Sequence, residues 1–341
     1  MSVGRSAPPQ RALPVLADVA RLSGVSEITV SRVIRNKGPI SAKTRERVLH
    51  AVAETGYVPN RLAGALASAD SMLVGVVLPS VTNIVFADVL RGIHEALAPS
   101  GYQPVMGVTG YDADEEERVV RSLLAWQPAA IILAGFEHTE GTRRMLAASR
   151  IRVAEVMDID DKPIDVAVGL SHRSAGRDIA RYLLSRGYRR FGYVGHDWDS
   201  DHRARLRFEG LVDELAAQGL AVVAERRIVG PSSTLAGRET LAGLLATGER
   251  PDVVVFSNDD MAVGGYFHCL AAGLEPRRDV GLFGFNGLEI GAALPLRLST
   301  VRSNRFLIGK LAAEALVARP DRPDDTAIIN TGYEIEAGET A

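Results

Sequence analysis

The chain has 341 residues, 46% hydrophobic and 24% charged, with a net charge of −3, which provides enough apolar material for two or three globular units. No uncharged apolar run reaches about 18 residues, and the N-terminal MSVGRSAPPQRALP has no apolar core for a signal peptide, so a soluble, cytoplasmic protein without a membrane part is expected. The single cysteine, Cys269, excludes an internal disulfide and reads as a small buried residue.

The total charge conceals an asymmetry. Residues 1–69 hold ten Lys/Arg against four Asp/Glu, a balance of +6, whereas the remainder holds 29 against 38, a balance of −9. A small basic head on a large acidic body implies that only the head approaches a polyanion.

In chain order, residues 1–13, with Gly4, Pro8 and Pro9, read as a disordered tail. Residues 14–59 form an all-α unit with helices expected over Leu16 to Ser23, Glu27 to Asn36 and Ala42 to Glu54, punctuated by Gly24 and Gly56. Residues 60–71 read as a linker in which Asn60 caps a short helix from Arg61 to Ala67. From residue 72 to 341 the texture becomes βαβ. MLVGVVLP, YQPVMGV, AAIILAG, RVAEV, DVAVGL, RFGYVG, RRIVG, DVVVFS and VGLFGF read as strands. Helices are expected over Ile84 to Leu97, Glu115 to Trp126, Arg203 to Gln218, Leu235 to Ala246 and Met261 to Ala272. The expected fold is an all-α helix-turn-helix head joined to a two-lobed α/β body with parallel sheets and a ligand cleft at the carboxyl ends of the strands. The helix RFLIGKLAAEALVA is expected to pack against a sheet.

In the head, Val19, Ala20 and Leu22 supply one apolar face and Val30, Val33 and Ile34 another. Gly24 permits the turn and Ser26 can cap the second helix. That helix would then present Glu27, Ile28, Ser31, Arg32 and Arg35 outward, a face suited to the major groove. The same pattern also fits a small helical bundle without a nucleic-acid role, and the local charge favours DNA.

The stretch LADVARLSGVSEITVSRVIRNKGPISAKTRERVLHAVAETGYVPNRLAGALAS resembles the head and hinge of the lactose-repressor and galactose-repressor (LacI/GalR) family of bacterial transcription regulators. PSVTNIVFADVLRGI, RLRFEG, SNDDMAVG and GFNGLEIG extend the resemblance through the body, to about residues 15 to 335. It implies that Glu27, Ile28 and Arg32 read bases while Ser26, Thr29, Ser31 and Arg35 lie among the other DNA contacts. A two-pronged Arg32–guanine contact is worth roughly 1 to 3 kcal/mol of discrimination. It further implies that Asn60, Arg61 and Ala63 belong to a hinge that meets the minor groove, with Leu66 wedged into a base step. Gly64 makes that short helix marginal, so the hinge is expected to fold only on DNA.

The body by itself offers little catalytic chemistry. HDWDSDHR resembles the start of an EF-hand loop, but His202 replaces the required glycine and Phe208 the glutamate, so calcium is rejected. His196 and His202 lack metal-ligand spacing, and no phosphate-binding, dinucleotide or nucleophile-elbow motif occurs, so neither a metal nor a cofactor is expected. Asp259 and Asp260 at a strand-to-helix junction fit helix capping better than an acid/base pair.

The resemblance implies instead a small-molecule effector in the cleft. It would be gripped by Arg207 of RLRFEG, with Arg203 and Asn258 close by, Asn286 of GFNG bonding a hydroxyl, Phe86 as an apolar wall and Asp158 facing the cleft. Asn286 stands where many relatives carry aspartate, and GPSSTLAG lacks a stacking ring, which disfavours a closed pyranose. Two arginines favour a sugar acid such as gluconate. VAEVMD, IDVAVG and GFNGLEIG resemble the gluconate-utilisation repressor subgroup in particular. The expected partners are operator DNA, the effector and a second copy of the chain, as a homodimer or a tetramer. The rival readings are a periplasmic-type sugar-binding protein, against which the basic head argues, and an enzyme on the same two-lobed fold.

Overall fold

Ser26 and Ser41 each turn their hydroxyl to a main-chain N–H three residues ahead, on Thr29 at 3.3 Å and Thr44 at 3.2 Å, and so start two helices of the head. In this computed structural model, which describes residues 14–58, 71–199, 201–318 and 321–341, the head contains α1 (Leu16–Ser23), α2 (Glu27–Ile34) and α3 (Ala42–Thr55). Gly24 ends α1 at φ 66°, a left-handed conformation that glycine adopts without steric cost. The three helices close over Val19, Ala20, Val30, Val33, Val48 and Ala51. Two expectations need correction. Leu22 is 48% exposed and lies outside this core. α2 stops at Ile34 rather than Asn36, which has left the helix at φ 52°. The hinge residues Asn60, Arg61, Ala63 and Leu66 fall outside the described residues.

Chain contacts separate Met1–Asp70 from Ser71–Ala341. In the second unit, β1 (Leu73–Leu78), β2 (Gln103–Val108), β3 (Ala130–Ala134), β4 (Arg152–Val156) and β5 (Val166–Gly169) form a parallel sheet. Helices α4 (Val85–Leu97), α5 (Ala113–Leu124) and α6 (Glu140–Ser149) fall between the first four strands. Strands β1, β3 and β4 are almost wholly buried, as a parallel sheet covered on both faces requires.

The chain then crosses into a second lobe through α7 (His172–Ser185). There β6 (Phe191–Gly195), α8 (His202–Ala217), β7 (Val222–Arg227), α9 (Thr234–Leu245), β8 (Val253–Phe256), α10 (Asp259–Ala272) and β9 (Gly281–Phe283) build a four-stranded parallel sheet in the order β7-β6-β8-β9. The seventh strand was expected at RRIVG and instead occupies Val222–Arg227, aligned with β6 from Phe191 to Gly195. After the short α11 (Glu289–Ala292), β10 (Thr300–Ser303) leads back to the first lobe. α12 (Arg305–Ala318) packs on α4 and on β4. β11 (Ala327–Asn330) joins the first sheet beside β5, giving the order β11-β5-β4-β3-β1-β2. β12 (Tyr333–Glu336) returns antiparallel to β10. The body thus holds two α/β lobes joined by several passages of chain: β11 completes the first sheet, and the last residues return to the second lobe, where Leu282 N donates to Thr340 O at 2.8 Å.

Candidate functional site

The carboxyl ends of both parallel sheets open on one cavity of about 460 Å³, where ligands of open α/β sheets bind. Its lining follows the strand order. Ser80 comes after β1, Tyr111 after β2, Met157 after β4, Leu170 after β5, His196 after β6, Gly230 after β7, Asn258 after β8, and Phe285 and Asn286 after β9. Arg203 and Arg207 enter from the first two turns of α8.

Arg207 is 9% exposed and closely held. Its Nη2 donates to the Ser257 carbonyl at 2.9 Å, its Nη1 lies 3.0 Å from His172 Nδ1, and its guanidinium sits 4.0 Å from the Phe285 ring centroid. Arg203 is less confined. Its Nε lies 3.6 Å from Asp201 Oδ1 and its guanidinium 5.6 Å from the centre of the Phe86 ring. Its Nη1 is buried without a hydrogen-bond partner among the described residues. Such a donor is costly to leave unmet and is satisfied by an incoming acceptor.

Asp201 caps α8 by accepting from Ala204 N at 3.1 Å, and its other oxygen lies 3.4 Å from His196 Nε2. Burial by itself would raise its pKa, but the His196 hydrogen bond and the charges of Arg203 and Arg207 outweigh that and hold it well below the usual carboxylate range. Asp201 thus lies among the guanidiniums of Arg203 and Arg207, and Asp197 and Asp260 line the same cavity. The acids of HDWDSDHR therefore shape a loop and cap a helix.

Two asparagines complete the polar lining. Asn258 is the N-cap of α10, where its Oδ1 accepts from Met261 N at 3.1 Å, so its amide nitrogen is the group with donors to offer a ligand. Asn286 sits at φ 127°, a sparsely populated conformation for a residue with a side chain. Its N–H donates to Val301 O at 2.8 Å and its carbonyl accepts from Arg305. Asp259 braces the same loop, accepting from Leu288 N at 2.7 Å and from Thr300 Oγ1 at 2.6 Å.

In the head, Glu27, Ile28, Arg32 and Arg35 are exposed on α2, with Ile28 at 68%, while Ser31 is half-buried. Ser26 and Thr29 lie 3.0 Å apart through their hydroxyls at the start of the helix, and Arg35 bonds Ser31. A short helix thus offers an acid, an aliphatic tip and two guanidiniums on one outward surface.

Residues 15–60 match the family described as bacterial regulatory proteins, lacI family, and residues 71–333 match the periplasmic binding proteins and sugar binding domain of the LacI family. The chain belongs to the LacI family. It is a DNA-binding transcriptional regulator with a helix-turn-helix head and a two-lobed α/β body.

Among LacI-family relatives, the HTH-type transcriptional regulator GntR of Pseudomonas aeruginosa is 38% identical over 335 residues, covering 96% of this chain and 95% of its own. The HTH-type transcriptional regulator IdnR of Escherichia coli K12 is 33% identical, covering 95% and 98%. A crystal structure of a LacI-family transcriptional regulator from Silicibacter pomeroyi has a TM-score of 0.91 at 44% identity, covering 96% and 99%.

Within this LacI-family body the structure brings Arg203, Arg207, Asn258 and Asn286 to the cavity and sets two expected residues back from it. Phe86 is 1% exposed beneath Arg203, and its neighbour Val85 lines the cavity instead. Asp158 is 1% exposed, with its Oδ1 accepting from Ile159 N and Asp160 N at 2.7 and 2.9 Å, and Met157 takes its place in the lining. Helix and strand geometry decide this, because adjacent side chains point in different directions. Sequence reasoning missed His172, Tyr111, Ser80 and Ser303, all of which line the cavity. Tyr111 accepts from Asn83 Nδ2 at 3.0 Å. The available signal was position, since each stands at or just beyond the carboxyl end of a strand.

Proposed function

We propose that two copies of this chain bind a pseudo-palindromic operator through their heads, and that the cleft takes a sugar acid such as gluconate whose binding changes that grip. In this reading Glu27, Ile28 and Arg32 read base edges, Ser26, Thr29, Ser31 and Arg35 support the phosphate contacts, and the hinge residues Asn60, Arg61, Ala63 and Leu66 meet the minor groove. The protein acts in the cytoplasm as a repressor without catalysis, cofactor or metal.

The observation that carries the effector half is Arg203 Nη1, a buried donor without a partner among the described residues, in a cavity that Arg207 also lines. A carboxylate oxygen is an acceptor that fits this guanidinium donor. Ser80, Ser232 and Ser303, together with the two asparagines, offer hydroxyl-bonding groups along the rest of the cavity.

The test is an operator-binding titration at fixed salt, repeated with gluconate, related sugar acids and their phosphates. Gluconate is expected to shift operator affinity. If no sugar acid does so, the effector reading fails, and if the protein binds its operator no better than unrelated DNA, the operator reading fails.

A further inference from the structure

His172 opens α7 immediately after the chain leaves β5, and it is 2% exposed. Its Nε2 lies 2.8 Å from the Met157 carbonyl oxygen at the end of β4, and its Nδ1 lies 3.0 Å from Arg207 Nη1 on α8. The carbonyl only accepts and the guanidinium only donates. The ring therefore carries its proton on Nε2 and offers the lone pair of Nδ1 to the arginine. An imidazolium would oppose N–H to N–H. Arg207 and Arg203 on α8, Asp201 at the cap of that helix and the Phe285 ring at 5.8 Å face it, and burial together with the two guanidiniums keeps its pKa well below the ordinary histidine value.

α7 and α8 approach closely enough through facing glycines for the bond to form. A Cβ on Gly176 would stand 1.9 Å from the Arg207 carbonyl, and one on Gly210 would stand 2.0 Å from the Arg173 carbonyl. With Ser257 O on Nη2 and Phe285 beneath the plane, the bond to His172 fixes the remaining freedom of the Arg207 guanidinium. Each amino nitrogen still carries a second N–H for a ligand.

We propose that His172 is the positioning residue that aims Arg207 at the carboxylate of the effector, through the lone pair of Nδ1. The inference rests on the reading that Arg207 grips a sugar acid, and its first test is independent of that reading. In the effector-free protein, the nitrogen resonances of the His172 ring are expected to show a bare Nδ1 and a protonated Nε2, and Arg207→Met is expected to move the Nδ1 signal. A protonated Nδ1, or a signal indifferent to Arg207→Met, overturns the proposal whether or not gluconate binds.

The second test separates the two bonds of the ring. In His172→Asn the amide oxygen stands near the position of Nδ1, and in His172→Gln the amide nitrogen reaches towards that of Nε2. Titrated calorimetrically with gluconate, His172→Asn is expected to stay within about threefold of the parent, and His172→Gln to weaken roughly tenfold or more, the loss expected for a hydrogen bond to a charged group. Equal losses, or losses that follow the fall in melting temperature, overturn the positioning role. A parent protein that binds no gluconate sinks the effector reading, and the ring spectrum then decides the His172–Arg207 relationship.

Discussion

Gly176 on α7 lies against the main chain of Arg207 on α8, and a methyl group there would fall 1.9 Å from the Arg207 carbonyl oxygen. The packing that joins two helices of the second lobe is therefore the packing that presents an arginine to the cleft. Gly176→Ala must push the helices apart at a cost of about 1 to 3 kcal/mol, the usual penalty of overpacking, and should weaken effector binding as well. Gly243→Ala, where a Cβ would meet nothing within 4 Å on an exposed part of α9, is the control. It should be neutral or stabilising by about 0.5 to 1 kcal/mol. Urea unfolding of the two variants distinguishes them, and equal stabilities would contradict the close-contact account.

Arg207→Lys keeps the charge and removes the planar fork that Ser257 O and His172 hold in place. Gluconate affinity should fall roughly tenfold to a hundredfold, corresponding to about 1.5 to 3 kcal/mol for a hydrogen bond to a charged group. The loss for the neutral polyol glucitol should be smaller. Calorimetric titration of both ligands reads the difference, and equal losses would remove Arg207 from carboxylate recognition.

Glu27 is exposed in the first turn of α2, where the helix dipole favours a carboxylate and where it can accept from a cytosine amino group. Glu27→Gln should change which half-site is selected from a pool of randomised operators. An unchanged selection accompanied by lower head stability would leave Glu27 only its dipole role.

Asp158 has a pKa raised from 3.8 to about 6, chiefly by burial. Because the folded value exceeds the unfolded one, the native state binds the extra proton between about pH 4 and 6. This contribution is fully present below the unfolded pKa and is lost as pH rises through the folded one. Asp158→Asn keeps an oxygen for the N–H groups of Ile159 and Asp160 and removes the titration. The variant should lack up to about 3 kcal/mol of the decline in stability across that window. Asp259, also raised to about 6 by burial, keeps its own share of the slope. Denaturant melts at a series of pH values test this, and an unaltered slope would rule out Asp158 as a source.

Much of the architecture is local in origin and was legible for that reason. Ser26, Gly24 and Ser41 specify helix ends by bonds and backbone angles within a few residues, so the head was readable to within two residues at each helix end. The buried parallel strands announced themselves as apolar runs, and the segments after β8 and β9 carry Asn258 and Asn286 to the cleft, as the resemblance implied. Register was less accessible. Val222–Arg227 alternates too weakly in burial to mark its own limits, and its pairing with β6 sets them.

The sequence by itself determined that a basic helix-turn-helix head precedes an acidic two-lobed α/β body with a ligand cleft at its strand ends, because charge, caps and hydrophobic period act over short stretches of chain, whereas arginines at that cleft were implied by the family resemblance. Only the tertiary structure decided that β11 completes the first sheet after the chain has built the second lobe, and that His172 meets Arg207. It also decided that Phe86 and Asp158 stand behind the wall they were expected to form. These relationships depend on main-chain pairing and helix contact between distant residues, and a side chain's neighbours across such contacts leave no periodic trace in its own segment.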